Sequence, residues 1–371
     1  MKNQDPPREN LQPIVSLFNN GKLKQALSES NQMLEKFPNS VFLFNISGAS
    51  NAGLMQYDAA INSYKKALKI MPNYAEAYFN MGIALKNKGD LEAAIDSYKM
   101  ALKIKPDYVD VFYNMGNTLK EKGDLEASIT SFKMTLKIKP DHTDAYYNMG
   151  IAQNEKGDLE AAIASFKMTL KIKPDHADAY YNMGNALKDK GYLEAAIDCY
   201  KMTLKIMPDS SDAYFKIGIA LNKKGDFEAA LDSYKMALKI KPDHADVYYN
   251  MGIALKSKGD FEAALDSYQK ALKIKPFYAP ALSQTHYLAT IMSDWALAKA
   301  LEKNLSSDQL EGNLSVYGLL SLEDNPTMHL KRATKLVKSK YNYLPLFHIR
   351  PPIKSNRIKV GYFSSYFRQH P

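Results

Sequence analysis

Residues 73–108 read NYAEAYFNMGIALKNKGDLEAAIDSYKMALKIKPDY. In the first half, Tyr78, Met81, Gly82 and Leu85 fall three and four apart, the spacing of one apolar helix face. Gly89 then stops the helix, because glycine accepts the left-handed conformation that helix ends favour. In the second half Asp90 is a candidate cap, and Glu92 lies in a positive first turn. Leu91, Ala94, Ile95, Tyr98, Ala101 and Leu102 again share one face. Lys103 and Lys105 sit at the negative end, and Pro106 resets the chain. The stretch therefore predicts a pair of helices joined by a tight turn.

The same pair recurs. Pro38, Pro72, Pro106, Pro140, Pro174, Pro208, Pro242 and Pro276 are spaced by 34 residues throughout. A constant period of this length means stacked units rather than one globular core. Glycine inside a helix costs about 1 kcal/mol against alanine. Its return at Gly48, Gly82, Gly116, Gly150, Gly184, Gly218 and Gly252 therefore implies that packing requires it. Eight units begin at residues 7, 41, 75, 109, 143, 177, 211 and 245. The first keeps Ala26 and Pro38 but has a weak first helix, as expected of a terminal cap.

The row Tyr78, Met81, Gly82, Leu85, Ala94, Tyr98 and Pro106 resembles the signature of the tetratricopeptide repeat. That resemblance covers residues 7–278. It implies an all-α solenoid, a right-handed superhelix with the first helix of each unit on its inner wall.

The 371-residue chain is 24% charged and 11% aromatic, which suits a soluble protein with ample core. No run of about 18 apolar residues is present, so no membrane span is expected. MKNQDPPREN lacks an apolar signal core, and Cys199 is the single cysteine, in a slot otherwise held by serine. Both features lead to the expectation of a reducing, cytoplasmic setting with no cysteine-based metal site and no cofactor. The net charge of +9 is not a nucleic-acid signature, because ten basic residues and no acid lie between Thr327 and Pro371. The remainder carries −1, which makes a basic groove for DNA a poor reading, and no nucleic-acid partner is expected.

Counting each unit from its start, position 2 is acidic: Glu76, Asp110, Asp144, Asp178, Asp212 and Asp246. Position 5 is aromatic: Phe79, Tyr113, Tyr147, Tyr181, Phe215 and Tyr249. Position 6 is Asn80, Asn114, Asn148, Asn182 and Asn250, with Ile46 and Lys216 as departures. A side-chain amide offers both donor and acceptor, so a row of them can grip the backbone of an extended peptide without reading its side chains. Sequence preference would then come from the acids and from Tyr113, Tyr147 and Tyr181. Helix propensity accounts for the acids through the dipole, but it does not account for the asparagines. His142, His176 and His244 in the Pro-Asp-His linkers read as solvated turn residues. Near-identical units leave edge-to-edge packing of copies, and hence a homo-oligomer, open.

After Pro276 the period fades. SQTHYLATIMSDWALAKALEKNLSS reads as two helices, with Trp295 beginning the second, and Asp324 or Asn325 can cap a later one. Beyond Pro351-Pro352, RIKVGYF alternates as a strand does. The organisation expected is a tail at 1–6, repeats at 7–278, a helical transition at 279–350 and the start of a further domain at 351–371. Asp294-Trp295, SVYGLLSLEDNP and RIKVGYFSSYFRQHP are together similar to the protein O-linked N-acetylglucosamine transferase family and its SPINDLY-like members. There the corresponding strand and loop read approximately RVGYVSSDFGNHP. The resemblance implies that 351–371 opens a Rossmann-like catalytic domain and that His370 matches an active-site histidine. Tyr366 stands where that family has aspartate. UDP-N-acetylglucosamine would be the donor substrate only with a complete catalytic domain, since one strand cannot form a stable sheet. The expectation is a peptide-recruiting arm that does not itself transfer sugar. The alternative is a stand-alone interaction scaffold.

Overall fold

A computed structural model describes residues 5–305. Helices α1 Arg8–Asn19, α2 Leu23–Lys36, α3 Val41–Gly53, α4 Tyr57–Ile70, α5 Ala75–Lys88 and α6 Leu91–Ile104 form the first three pairs. α7 Val109–Lys122, α8 Leu125–Ile138, α9 Thr143–Lys156, α10 Leu159–Ile172, α11 Ala177–Asp189 and α12 Leu193–Ile206 form the next three. α13 Ser211–Lys224, α14 Phe227–Ile240, α15 Ala245–Lys258 and α16 Phe261–Ile274 complete the array. α17 Ala279–Ile291 and α18 Trp295–Leu305 belong to a separate unit that begins at Phe277. Trp295 begins α18 as the sequence predicts, and Asp294 accepts the Leu297 N–H at 3.1 Å. The residue 324–326 helix start, the 357–363 strand, Tyr366 and His370 lie outside the described residues.

Every described residue in regular structure is helical. Odd-numbered helices are the first of each pair. Gly89 ends α5 at φ +95°, the left-handed region where a side chain would be strained. Met55 holds the equivalent place in the second unit at φ 61° without that freedom, and it is 76% exposed. Asp124, Asp158, Asp226 and Asp260 cap their helices by accepting the N–H three residues on. Asp90 occupies the same place without that bond. α1 is the weak cap expected: it contains Pro13 and buries only Ile14.

The recurrent glycine has a specific partner. In each pair from the second to the eighth it faces the ring at position 24, a residue almost wholly buried: Tyr64, Tyr98, Phe132, Phe166, Tyr200, Tyr234 or Tyr268. A methyl group on Gly150 would lie 2.7 Å from Phe166 Cε1. Glycine is the only residue that lets the two helices close over that ring. Ala94, Ile95 and Ala101 fill the rest of the seam in the third pair. Cys199 is buried in its serine slot, and burial pushes its thiol up to about 11, with Asp198 adding to the shift.

Neighbouring pairs are tied at the turn between their two helices. The last-turn lysine of one unit meets the first-turn acid of the preceding unit's second helix, 30 residues earlier. The rungs are Asp58–Lys88 (2.5 Å), Glu92–Lys122 (3.0 Å), Glu126–Lys156, Glu160–Lys190, Glu194–Lys224 (3.0 Å) and Glu228–Lys258 (2.6 Å). Hydrogen bonding to these partners raises Lys88 and Lys190 and lowers Glu160 and Glu194. Glu92 thus serves both its own helix dipole and the next unit.

Candidate functional site

First helices of successive pairs touch one another directly: α3 meets α5, α5 meets α7, α7 meets α9, α9 meets α11 and α13 meets α15. Among the described residues no two second helices come as close over a comparable stretch. The layer of first helices is therefore the tighter, inner side of the array. Positions 5 and 6 stand half-buried along it, and position 2 is exposed except for the half-buried Asp246.

The position-5 rings close the joints between units. Tyr113 packs on Phe132 of its own pair at 6.1 Å between centroids and on His142 of the following linker at 4.8 Å. Tyr147 repeats this with Phe166 at 6.1 Å and His176 at 4.7 Å. Phe215 meets Tyr234 and His244 likewise. Tyr181 packs on Tyr200 at 5.9 Å. Burial raises the phenols of Tyr147 and Tyr181, with Asp178 and Asp212 of the next unit adding to it. The acids at position 2 thus stand near the tyrosine of the unit before.

The histidines correct the sequence reading. They are half-buried rather than solvated. Nδ1 of His142 accepts the Ala145 N–H at 3.3 Å, and Nδ1 of His176 accepts that of Ala179. Each caps a first helix while its ring stacks on the preceding tyrosine. His244 instead turns Nε2 toward Asp212 at 3.8 Å. The reason is the linker: a residue directly before a helix is a capping position whatever its type, and here it also faces a ring 29 residues back.

The asparagines follow one rule that single positions do not reveal. Each donates an amide N–H, and its partner depends on position 5 of the unit before. Asn80 donates to Asn45 Oδ1 at 3.2 Å. Asn148 donates to Tyr113 Oη and Asn182 to Tyr147 Oη, both at 3.0 Å. Where the preceding residue is phenylalanine there is no acceptor, and the amide folds back. Asn114 follows Phe79 and donates to the Asp110 carbonyl; Asn250 follows Phe215 and donates to the Asp246 carbonyl, each at 2.8 Å. Three of the five are therefore joints between units. An amide has two N–H donors and an oxygen. Each asparagine spends one donor inside the protein, and among the described residues its Oδ1 has no protein partner.

Toward the helix ends, Lys86, Asn117, Lys120, Glu121 and Glu155 line a shallow depression on the same wall. Lys86 reaches Glu121 of the next unit at 3.6 Å. The wall therefore presents acids at one edge, amides and rings in the middle, and mixed charge at the other edge. It has the groups to hold a peptide backbone. Among the described residues no helix is long and apolar enough to cross a membrane.

Comparison with known proteins agrees with this architecture. The TPR repeat family matches residues 56–89, 85–123, 116–155, 154–191, 184–225 and 218–259, and the tetratricopeptide repeat matches 245–278. Together these cover more than half of the chain. The probable UDP-N-acetylglucosamine–peptide N-acetylglucosaminyltransferase SEC of Arabidopsis thaliana is 39% identical over 74 residues, 20% of this chain and 8% of that protein. The chain thus matches only a small fraction of that relative's length. Among solved structures, MamA is 31% identical, with a TM-score of 0.43 over 45% of this chain and 97% of that one. YrrB, described as a TPR protein with an unusual peptide-binding site, is 23% identical, with a TM-score of 0.45 over 51% and 97%.

Proposed function

Because the chain belongs to the tetratricopeptide repeat family of protein-binding scaffolds, we propose that its inner wall holds extended polypeptide by the backbone. The observation that carries this reading is the row of asparagine amides, each with one N–H and an oxygen left over after its internal bond. An extended chain offers the complementary pair at every residue. Asp110, Asp144, Asp178, Asp212 and Asp246 along one edge favour basic or hydroxyl side chains in the ligand. Tyr113 and Tyr147 offer ring edges, since their faces are spent on His142 and His176 of the following linkers, whereas Tyr181 packs on Tyr200 of its own pair.

Asn114 and Asn250 provide the cleanest test, because neither ties two units together. With a labelled, unstructured Ser/Thr-rich peptide followed by fluorescence anisotropy, alanine at either site is expected to weaken binding about 2–10-fold. That is the worth of one net hydrogen bond. Helicity at 222 nm should not change. Unaltered binding in the Asn114→Ala/Asn250→Ala double variant removes the reading.

The same groove fits the substrate-recruiting arm of a protein O-linked N-acetylglucosamine transferase. The resemblance at residues 279–371 and the 39% identical stretch support that assignment.

A further inference from the structure

One joint of the inner wall is built differently from the others. Between the sixth and seventh units, two departures flank Tyr181. The linker residue is Ser210, where neighbouring joints have the ring of Tyr108, His142, His176 or His244. Position 6 is Lys216, where five units have asparagine. Tyr181 therefore lacks the linker ring and the next unit's amide that Tyr113 and Tyr147 have; its phenol is met by Asn185 of its own helix instead.

Lys216 itself is half-buried, with Nζ 5.9 Å from the centroid of the Phe215 ring. Among the described residues it forms no hydrogen bond or ion pair. Its nearest candidates are engaged elsewhere: Asp212, one turn before, faces His244 at 3.8 Å, and Asp189 pairs with Lys188 at 2.9 Å. Burial lowers the Lys216 ammonium, and the neighbouring Lys188 lowers it further. A partly desolvated cation without a counter-ion gains from an incoming anion more than a solvated one does.

We infer that Lys216, at the joint where Ser210 replaces the linker ring, forms a subsite that takes a side-chain carboxylate of the bound peptide. This rests on the peptide-groove reading above. Elsewhere position 6 presents amides and position 2 presents carboxylates, so a cation in the amide row near one end makes that row polar along its length. An extended peptide advances about 3.3 Å per residue, and neighbouring helix axes lie about 8–10 Å apart. About three ligand residues therefore span one unit. A glutamate near one end of a ligand fixes which way round it lies.

The test uses the full chain and C-terminally amidated, fluorescein-labelled peptides of about 21 residues. Each is Ser/Thr-rich with two lysines, and one residue near the end is Glu or Gln. The wild-type chain is expected to bind the Glu peptide about tenfold tighter, the effect of one charge-assisted hydrogen bond. Lys216→Asn, which installs the residue of five other units, should abolish that ratio, the Glu and Gln peptides then binding the variant equally. Equal binding of the two peptides by the wild-type chain, or a ratio that survives Lys216→Asn, overturns the inference and leaves the groove intact. A Gln peptide with a free C-terminus that matches the Glu peptide reassigns Lys216 to a chain terminus and also overturns it. Failure of every peptide to bind the wild-type chain sinks the groove reading, and this inference with it.

Discussion

Gly150→Val is expected to lower stability by about 3 kcal/mol and to split the thermal melt into two transitions. The branched side chain would enter the space of the Phe166 ring, whose Cε1, Cδ1 and Cζ lie 2.7, 2.9 and 3.1 Å from the position of a Cβ. Phe166 is wholly buried and has nowhere to move. Overpacking of this kind costs about 1–3 kcal/mol. Valine is itself a poor helix former, so little is regained from removing glycine. Stability in a stacked array depends on each unit and its two interfaces. Damage at α9–α10 therefore uncouples the units before it from those after it. Circular dichroism with temperature reads both effects. Shrinking the ring with Phe166→Leu should recover part of the loss, and a double-mutant cycle without such coupling refutes the packing account.

Alkali is expected to unfold the array cooperatively above pH 10. Tyr64, Tyr98, Tyr200, Tyr234 and Tyr268 are almost entirely buried, and burial raises all five phenols, Tyr98 to about 12. The unfolded chain ionises near pH 10, whereas the folded chain keeps its phenol protons. Between those two limits the unfolded state binds fewer protons, so stability falls as pH rises. Below pH 10 the contribution is level. Each tyrosine removes about 1.4 kcal/mol per pH unit across that window. Phenolate absorbance at 295 nm and loss of ellipticity at 222 nm should therefore coincide. The hydroxyls of Tyr234 and Tyr268 are buried without a hydrogen-bond partner, and Phe132 and Phe166 fill the same slot. Tyr234→Phe/Tyr268→Phe should move the alkaline midpoint upward while preserving the fold at neutral pH. Phenol ionisation well before helix loss contradicts the argument.

The helix pairs were legible because what specifies them is local. Gly89 and the three-and-four spacing of Met81, Gly82 and Leu85 act within one or two turns of their own positions, although the cap expected at Asp90 forms at Asp124 and not at Asp90 itself. The need for Gly150 was legible too, although its partner, Phe166, emerged only with the packing. The inner wall was less transparent. Asn114 and Asn148 are identical in sequence and in repeat position, yet one bonds its own helix and the other a tyrosine. The difference lies 35 residues away, in whether position 5 of the unit before is Phe79 or Tyr113. His142 was misread for the same reason: its ring partner is a neighbour only after stacking. Reading position 5 and position 6 of successive units as pairs would have exposed the rule.

The joints between units are fastened with different chemistry at their two rims. At one rim, exposed lysines meet carboxylates in water, as in Glu92–Lys122. At the other, His142 and His176 lie half-covered against Tyr113 and Tyr147. Dissolved ions weaken attraction between exposed charges but scarcely touch stacked rings. Mechanically the ribbon of units thus has one soft selvedge and one stiff one. Brine slackens a single side, so each unit is expected to tilt about its ring-packed edge rather than separate evenly from its neighbour.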